Sequence, residues 1–209
     1  MKYIPEFSEK EIGENNRIFR ERYAVYKEKG LDFLKSRENI LGKAGNFREK
    51  VLDIGSGRGV TVLALAEAGY NVTTVDNNEE MLRMTALNLA GRGLLPKAEI
   101  YRMDAYSLGF PDGSFNTVFA VEALHHLDDT VAFLEETDRV LKAGGKMVLA
   151  DFNDRGREIV EAVHAGEGHS HEGDFSGKEK AETWLNDKGY GYKEYDDECD
   201  WVIVAEKGA

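Results

Sequence analysis

The chain has 209 residues, of which 42% are hydrophobic and 32% charged, and these values fit one soluble globular domain. The formal net charge of -12 argues against a large nucleic-acid footprint, because phosphate binding requires a basic surface. No apolar run approaches the about 18 residues of a membrane span, and the first residues lack the apolar core of a signal peptide. The single cysteine, Cys199, excludes an internal disulfide, so we expect a cytoplasmic protein.

Residues 6–46 predict a helical N-terminal segment. Ser8 and Glu11 form a capping-box pattern, apolar residues then recur at helical spacing, and Gly30 divides the segment into two helices. Two interpretations stay open. The helices pack on the edge of a sheet, or the first one folds over a ligand as a lid.

Residues 51–59, Val-Leu-Asp-Ile-Gly-Ser-Gly-Arg-Gly, predict a buried strand, a tight turn and the start of a helix. Strand and helix patterns then alternate, which predicts a parallel sheet with helices on both faces. The predicted strands are 51–54, 71–75, 98–102, 117–121 and 146–151, and the helices cover about 59–68, 78–89 and 129–141.

The C-terminal part breaks this alternation. Segments 157–164 and 177–188 have helical patterns, and a glycine- and histidine-rich loop, 165–175, joins them. Strand patterns at 190–195 and 201–205, separated by a short polar turn, predict an antiparallel hairpin. The predicted fold class is α/β: a Rossmann-like doubly wound sheet of about seven strands with an antiparallel C-terminal hairpin and N-terminal helices.

Three aspartates fall where predicted strands end: Asp53, Asp76 and Asp104. Ligands of open α/β sheets bind beyond the carboxyl ends of the strands, at the switch point. Asp76, about 20 residues past the first glycines, is placed to accept hydrogen bonds from both hydroxyls of a ribose.

The spacing of the glycines indicates which class of nucleotide ligand the turn fits. Gly55, Gly57 and Gly59 alternate, while Val60 stands where a dinucleotide fingerprint needs its third glycine. A GxxxxGK[ST] phosphate loop is also missing from the sequence. The turn therefore favours a nucleoside over a pyrophosphate, and a nicotinamide-dependent dehydrogenase is the less favoured alternative.

Four segments together resemble the class I S-adenosylmethionine-dependent methyltransferases. VLDIGSGRG is similar to their motif I, VTTVDNNEEML to their second-strand motif, RMDAYSLGFPDGSFNTVFAVEALHHL to their third-to-fourth-strand segment, and LKAGGKMVLADF to their fifth-strand motif. The resemblance covers about residues 48–153, in the right order, and is closest to the small-molecule branch of the ubiquinone/menaquinone-biosynthesis type.

The resemblance implies a domain plan for residues 1–209. It comprises a helical preface or lid at 1–46, a cofactor-binding core at 48–153, and an acceptor-side insertion with the terminal hairpin at 154–209. The implied activity is direct, in-line transfer of a methyl group from S-adenosylmethionine to a small-molecule acceptor, which leaves S-adenosylhomocysteine and requires no metal. The alternative is a non-catalytic S-adenosylmethionine-binding protein of the same fold.

The resemblance also implies the cofactor-binding residues. The backbone at Gly55 and Gly57 faces the methionine part, Asp53 reaches its amino group through water, and Asp76 holds the ribose diol. Asn77 or Met81 lines the adenine. Asp104 and the Ala105 backbone meet the adenine edge, and Glu122 runs beneath the sulfonium.

Candidate groups on the acceptor side remain alternatives. A general base, if the acceptor needs one, is His125, His126 or Glu122, which follow the fourth strand. The substrate-side candidates are Tyr23, Tyr26, Asp151, His164 and His171. Three interpretations of the histidine-rich loop stay open: a flexible polar loop, a loop that binds or gates the substrate, and a metal site. The spacing of its histidines matches no tight zinc pattern. The fourth strand ends in Val-Glu-Ala-Leu and lacks the Asn/Asp-Pro-Pro-aromatic motif of methylases that act on base amino groups. We therefore expect no nucleic-acid partner.

Overall fold

The computed structural model describes residues 1–3, 5–166, 168 and 173–208. Seven strands form one sheet: β1 Val51–Ile54, β2 Val72–Asp76, β3 Ala98–Arg102, β4 Phe115–Val121, β5 Leu141–Phe152, β6 Gly191–Asp196 and β7 Asp200–Glu206. Their order is β3-β2-β1-β4-β5-β7-β6. From β1 the strands are added outward to β3 on one side, and from β4 they are added on the other side of β1. The strand order therefore reverses between β1 and β4, and the carboxyl ends of these two parallel strands border a switch-point crevice.

Seven α-helices accompany the strands in the described part of the chain: α1 Glu9–Glu28, α2 Phe33–Ala44, α3 Val60–Glu67, α4 Glu79–Ala90, α5 Thr130–Val140, α6 Asp154–Gly166 and α7 Gly177–Asp187. The first five strands are parallel, and β7 is antiparallel to both β5 and β6. The predicted fold class, including the antiparallel C-terminal hairpin, is therefore confirmed.

The element boundaries differ from the predicted ones by a few residues. β5 begins at Leu141, ahead of the predicted Lys146, because Leu141 pairs with Phe115 before a register shift. This irregularity accommodates Gly144 and Gly145 within the strand. Asp129 caps α5, with its carboxylate accepting from the Ala132 backbone N–H at 2.9 Å.

The N-terminal helices form as the capping pattern predicts. Ser8 and Glu11 make the reciprocal capping box of α1, and Gly30, with φ of 103°, follows the last turn of α1 and begins the connection to α2. α1 lies across α4 and also contacts α6. Ahead of α1, the Tyr3 N–H donates to the Ile100 carbonyl at 2.8 Å, so the first residues extend the β3 edge.

Both faces of the sheet are covered by apolar packing. One cluster joins β4, β5 and β7 to α5 and α7, and includes Phe133 and Trp184. The other joins the opposite face to α2, α3 and α4, and includes Ile40 and Leu89. A third cluster, formed by α1, α2 and α6 around Phe33 and Phe152, lies above the strand ends. Within the described ranges, no helix is both long and apolar enough to cross a bilayer.

Candidate active site

The glycine turn after β1 depends on backbone conformations that other residues rarely adopt. Gly55 has φ of 80° and Gly59 has φ of 82°. A Cβ on Gly55 would lie 3.0 Å from the Ala123 Cβ, and one on Gly59 would lie 3.0 Å from the Thr85 Cα. The third alternate glycine thus lets α3 approach α4 closely, while the first lets the turn lie against the segment after β4.

Asp76 at the end of β2 fixes the same turn. Its Oδ2 accepts from the Gly57 N–H at 2.9 Å, and its Oδ1 accepts from the Asn78 N–H at 2.9 Å. Oδ2 also accepts a long hydrogen bond from the Ser56 hydroxyl at 3.5 Å. A carboxylate has about four acceptor positions, so Oδ1 retains capacity for a ligand hydroxyl, and Oδ2 gains it when the Ser56 hydroxyl turns away.

A cleft of about 450 Å³ lies beyond the ends of β1, β2 and β4. Its lining contains most of the residues expected to bind the cofactor: Gly55, Gly57, Asp76, Asn77, Met81, Asp104, Ala105 and Glu122. Several of these residues lie far apart in sequence and meet only because the parallel strands end at one edge. The chemistry of the lining fits an adenosine, because carboxylates on both sides accept hydrogen bonds from hydroxyl and amino groups.

Asp53 lies beneath the cleft and lines neither it nor its neighbour. The side chain is buried, and its Oδ2 accepts from the Thr74 hydroxyl at 2.7 Å. Burial raises the pKa of Asp53 to about 6, although the Thr74 hydrogen bond opposes the rise. Asp53 does not line the cleft directly, and its expected reach through water to a ligand amino group stays a prediction.

A second cavity of about 200 Å³ adjoins the cleft, enclosed by α1, α2 and α6. Both tyrosines expected on the substrate side, Tyr23 and Tyr26, line it, together with His164 of α6. Four rings form its aromatic wall. Phe33 lies 5.2 Å from Tyr23 and 5.0 Å from Tyr26, both edge-on, and 6.3 Å from Phe152.

The cleft and the second cavity share part of their walls. The residues common to both are Gly55, Gly57, Met81, Glu122 and His126. A ligand that fills the cleft therefore presents one end to the second cavity, where another molecule would meet it. This adjacency is the arrangement that group transfer between two bound molecules requires.

Glu122 stands at this junction in a strained conformation. Its φ is 54°, which few residues other than glycine adopt, and its backbone N–H donates to the Ala150 carbonyl at 2.8 Å. The carboxylate accepts from Arg37 of α2 at 2.7 Å. Burial lowers the pKa of Arg37, but the charge and hydrogen bond of Glu122, together with the nearby Asp200, raise it more, so the guanidinium stays charged. The ion pair directs the Glu122 carboxylate towards α2, and the role of Glu122 as general base stays a prediction.

His125 and Asp151 form a buried pair on the acceptor side. The imidazole Nδ1 lies 2.7 Å from Asp151 Oδ1, and Asp151 Oδ2 accepts from the His125 backbone N–H at 3.0 Å. Asp151 lines neither cavity. Its carboxylate hydrogen-bonds His125, which does line the second cavity, and a contact of Asp151 with the acceptor stays a prediction.

His126 lines both the cleft and the second cavity. Burial lowers the pKa of His126, and the nearby His125 lowers it further, so its imidazole is neutral at pH 7. His125 also stacks on Phe175, with ring centroids 5.2 Å apart, and its carbonyl accepts from the Asp174 N–H at 2.9 Å. The end of the glycine- and histidine-rich loop thus packs against the candidate base.

The other candidates of that loop divide between described and undescribed residues. His164 Nε2 lies 3.4 Å from the Arg22 guanidinium. His171, the remaining substrate-side candidate, and His169 lie outside the described residues. Among the residues that are described, no group of three or more His, Cys, Asp or Glu side chains is arranged to hold a metal ion.

Comparison with known proteins identifies the domain. A family profile described as a methyltransferase domain matches residues 52–149. Residues 52–149 thus carry a methyltransferase domain. The match covers the strands and turns that form the cleft, and it confirms the family that the sequence motifs resemble.

Two curated relatives contain a segment similar to this methyltransferase domain. The 2-methyl-6-phytyl-1,4-hydroquinone methyltransferase of Synechocystis is 40% identical over 106 residues, which are 50% of this chain and 32% of that protein. The ubiquinone biosynthesis O-methyltransferase of Xanthomonas euvesicatoria is 27% identical over 167 residues, which are 76% of this chain and 67% of that protein. The chain thus spans a third of the first relative and about two thirds of the second.

A solved structure shows the same fold. The crystal structure of an S-adenosylmethionine-dependent methyltransferase from Aquifex aeolicus superimposes with a TM-score of 0.65 at 21% identity, covering 88% of this chain and 96% of that one. The seven-stranded arrangement with its C-terminal hairpin is therefore that of a known methyltransferase fold.

Sequence reasoning missed several residues of the second cavity: Arg22, Phe33, Arg37, Arg58, Phe152 and Val160. Of these residues, Arg58 could have been predicted from the sequence, because it lies inside the glycine turn and therefore near the ligand of that turn. The others come from helices and from the end of β5, where sequence spacing gives the buried face but does not indicate which cavity that face borders.

Proposed function

We propose that the protein transfers a methyl group from S-adenosylmethionine to a small-molecule acceptor by direct in-line displacement. The observation that carries this proposal is the shared wall between the cleft and the second cavity, at Gly55, Gly57, Met81, Glu122 and His126. The methyltransferase domain match supports the reaction class.

The proposed roles in the cleft follow from its lining. Asp76 accepts hydrogen bonds from the ribose hydroxyls, while Asp104 and the Ala105 backbone meet the adenine edge. Asn77 and Met81 flank the base, and the open backbone at Gly57 admits the methionine part, because no atom lies within 4 Å of a Cβ built there. When bound, S-adenosylmethionine supplies an activated methyl group, so the protein needs mainly to position two molecules and exclude water.

His125 is the proposed general base for an acceptor hydroxyl. The Asp151 carboxylate can only accept hydrogen bonds, so Nδ1 of His125 carries the proton and Nε2 carries the lone pair. The buried carboxylate also stabilises the imidazolium that forms when Nε2 takes a proton. A base held in one tautomer, in a residue that lines the second cavity, favours a catalyst over a non-catalytic binder.

The aromatic wall favours a hydroxylated ring as acceptor. Tyr23, Tyr26, Phe33 and Phe152 present ring faces and edges, with which a planar acceptor would make offset or edge-on contacts. The two relatives described above are named for a hydroquinone and for ubiquinone biosynthesis, which agrees with this chemical class.

Calorimetry with S-adenosylmethionine and S-adenosylhomocysteine tests the cofactor assignment, with NAD as the control nucleotide. We expect binding of both sulfur compounds and none of NAD. Failure of both to bind at millimolar concentration would contradict the proposal. Transfer of a labelled methyl group to a panel of phenols, catechols and hydroquinones then tests the acceptor class.

A further inference from the structure

The lining of the second cavity has an unusual charge for this protein. The chain carries a net charge of -12, yet among the described residues three arginines line this cavity beside a single carboxylate, that of Glu122. The carboxylate is already paired with Arg37 at 2.7 Å. A cavity with an excess of cations inside an acidic protein favours an anionic ligand.

The three arginines differ in their contacts. Arg37 is buried and bound to Glu122, and Arg22 contacts the Tyr26 hydroxyl at 3.2 Å and His164 at 3.4 Å. Arg58 instead directs its guanidinium to the Met84 sulfur at 3.3 Å, and no carboxylate in the described part of the chain pairs with it. A thioether is a weak acceptor, so this contact satisfies little of a group with five N–H donors.

The backbone of Arg58 is rigidly placed. It lies between Gly57 and Gly59, both in left-handed conformations, and its carbonyl accepts from the Asn88 side chain at 2.7 Å. Its positive charge acts on the phenol of Tyr23, whose pKa burial raises and Arg58 lowers. Arg58 is thus a half-buried residue in the lining of the second cavity, near a phenol that stays protonated and can donate a hydrogen bond.

We propose that Arg58 is a carboxylate-binding residue of this site. An arginine fork matches a carboxylate geometrically, and a partly desolvated guanidinium gains a strong charge-assisted hydrogen bond from one. The inference rests on the proposed function, which supplies two sources of the carboxylate. One is the methionine end of the cofactor, and the other is an acidic group on the ring of the acceptor.

The first arm of the test compares S-adenosylhomocysteine with 5′-methylthioadenosine, which lacks the amino-acid carboxylate. Calorimetry is performed on the wild type and on Arg58→Gln. If the cofactor supplies the carboxylate, the variant binds S-adenosylhomocysteine about 10- to 100-fold more weakly and binds 5′-methylthioadenosine as the wild type does.

The second arm uses enzyme saturated with S-adenosylhomocysteine and two probes, 3,4-dihydroxybenzoate and catechol, which differ by one carboxylate. If the acceptor supplies the carboxylate, the wild type prefers 3,4-dihydroxybenzoate by about tenfold or more, and Arg58→Gln removes the preference. Its affinity for S-adenosylhomocysteine then stays unchanged.

Two further variants control the test. Arg58→Lys keeps the charge and is expected to recover part of the lost affinity. Arg92→Gln removes an arginine that lines neither cavity and pairs with Glu67 at 2.6 Å, and it is expected to change nothing. The inference is overturned if Arg58→Gln alters neither comparison, or if it weakens both nucleosides equally, since an equal loss assigns Arg58 to shaping the turn. A wild type that binds neither nucleoside would instead overturn the proposed function.

Discussion

His125 and Asp151 are joined twice, once through the imidazole Nδ1 at 2.7 Å and once through the His125 backbone N–H at 3.0 Å. The pair connects the segment after β4 to the end of β5, and both side chains are almost fully buried. Two contacts fix both the position of the histidine backbone and the tautomer of its ring, so the pair is built to orient an imidazole.

Asp151→Asn is expected to lower kcat on an acceptor that the wild type methylates, by about 10²-fold or more, because the carboxamide no longer enforces the reactive tautomer. Affinity for S-adenosylhomocysteine should stay within about twofold, since Asp151 does not line the cleft. Nitrogen NMR of the His125 ring would report the change of tautomer directly. His126→Gln is the matched control, and a larger kcat loss in that variant would assign the base to His126.

Asp76→Ala is expected to weaken binding of S-adenosylhomocysteine by on the order of 1–3 kcal/mol, because the ribose hydroxyls lose a charged acceptor. Asp76→Asn keeps one oxygen and should lie between the alanine variant and the wild type. Asp112→Ala removes an exposed carboxylate that pairs with Arg139 away from the cleft, and calorimetry should show no change. Unaltered affinity in Asp76→Ala would contradict the ribose assignment.

The cofactor cleft was predictable from sequence because its residues follow a local rule. Asp76 ends β2, and Asp104 and Glu122 come directly after β3 and β4. Parallel strands bring their carboxyl ends together whatever lies between them, so strand assignment alone places these side chains at one edge.

The acceptor side was less predictable because its contacts join distant segments. Asp200 of β7 accepts from Ser36 of α2 at 2.6 Å across a separation of 164 residues. Arg37 reaches Glu122 from the same helix. Helical periodicity identifies the buried face of α2 but does not predict which carboxylates on other elements that face contacts. The hydrogen bonds between Asp151 and His125 could not be predicted for the same reason.

Removal of only one charge of the Arg37–Glu122 pair is expected to destabilise the folded protein. Glu122→Gln leaves a buried guanidinium without its counter-ion and should lower the free energy of unfolding by about 3–5 kcal/mol. Arg37→Met combined with Glu122→Gln should be less destabilised than the sum of the single variants, because the double variant leaves no unpaired charge. Urea unfolding of all four proteins measures this coupling, and strictly additive losses would show that the pair is not energetically linked.

Asp200 is expected to make stability decrease as pH rises. Burial raises the pKa of Asp200 to about 7, the Glu122 and Asp151 charges add to the rise, and Arg37 opposes it. Its Oδ1 has no hydrogen-bond partner among the described residues, which also penalises the ionised form.

The folded protein therefore keeps this proton at pH values where the unfolded chain, with a pKa near 3.8, has lost it. The contribution of Asp200 to the free energy of unfolding should fall between about pH 4 and pH 7 and level off above that. Asp200→Asn copies the protonated shape and retains the Ser36 hydrogen bond, so it lacks this loss. Asp53 also has a raised pKa, but it is present in both proteins, so its contribution cancels in the difference between their unfolding free energies. We expect the difference in unfolding free energy to shift in favour of the asparagine variant by on the order of 2–4 kcal/mol from pH 4 to pH 8. Urea unfolding of both proteins across this range checks it, and a difference that is constant with pH would show that Asp200 ionises as readily in the folded protein as in the unfolded chain.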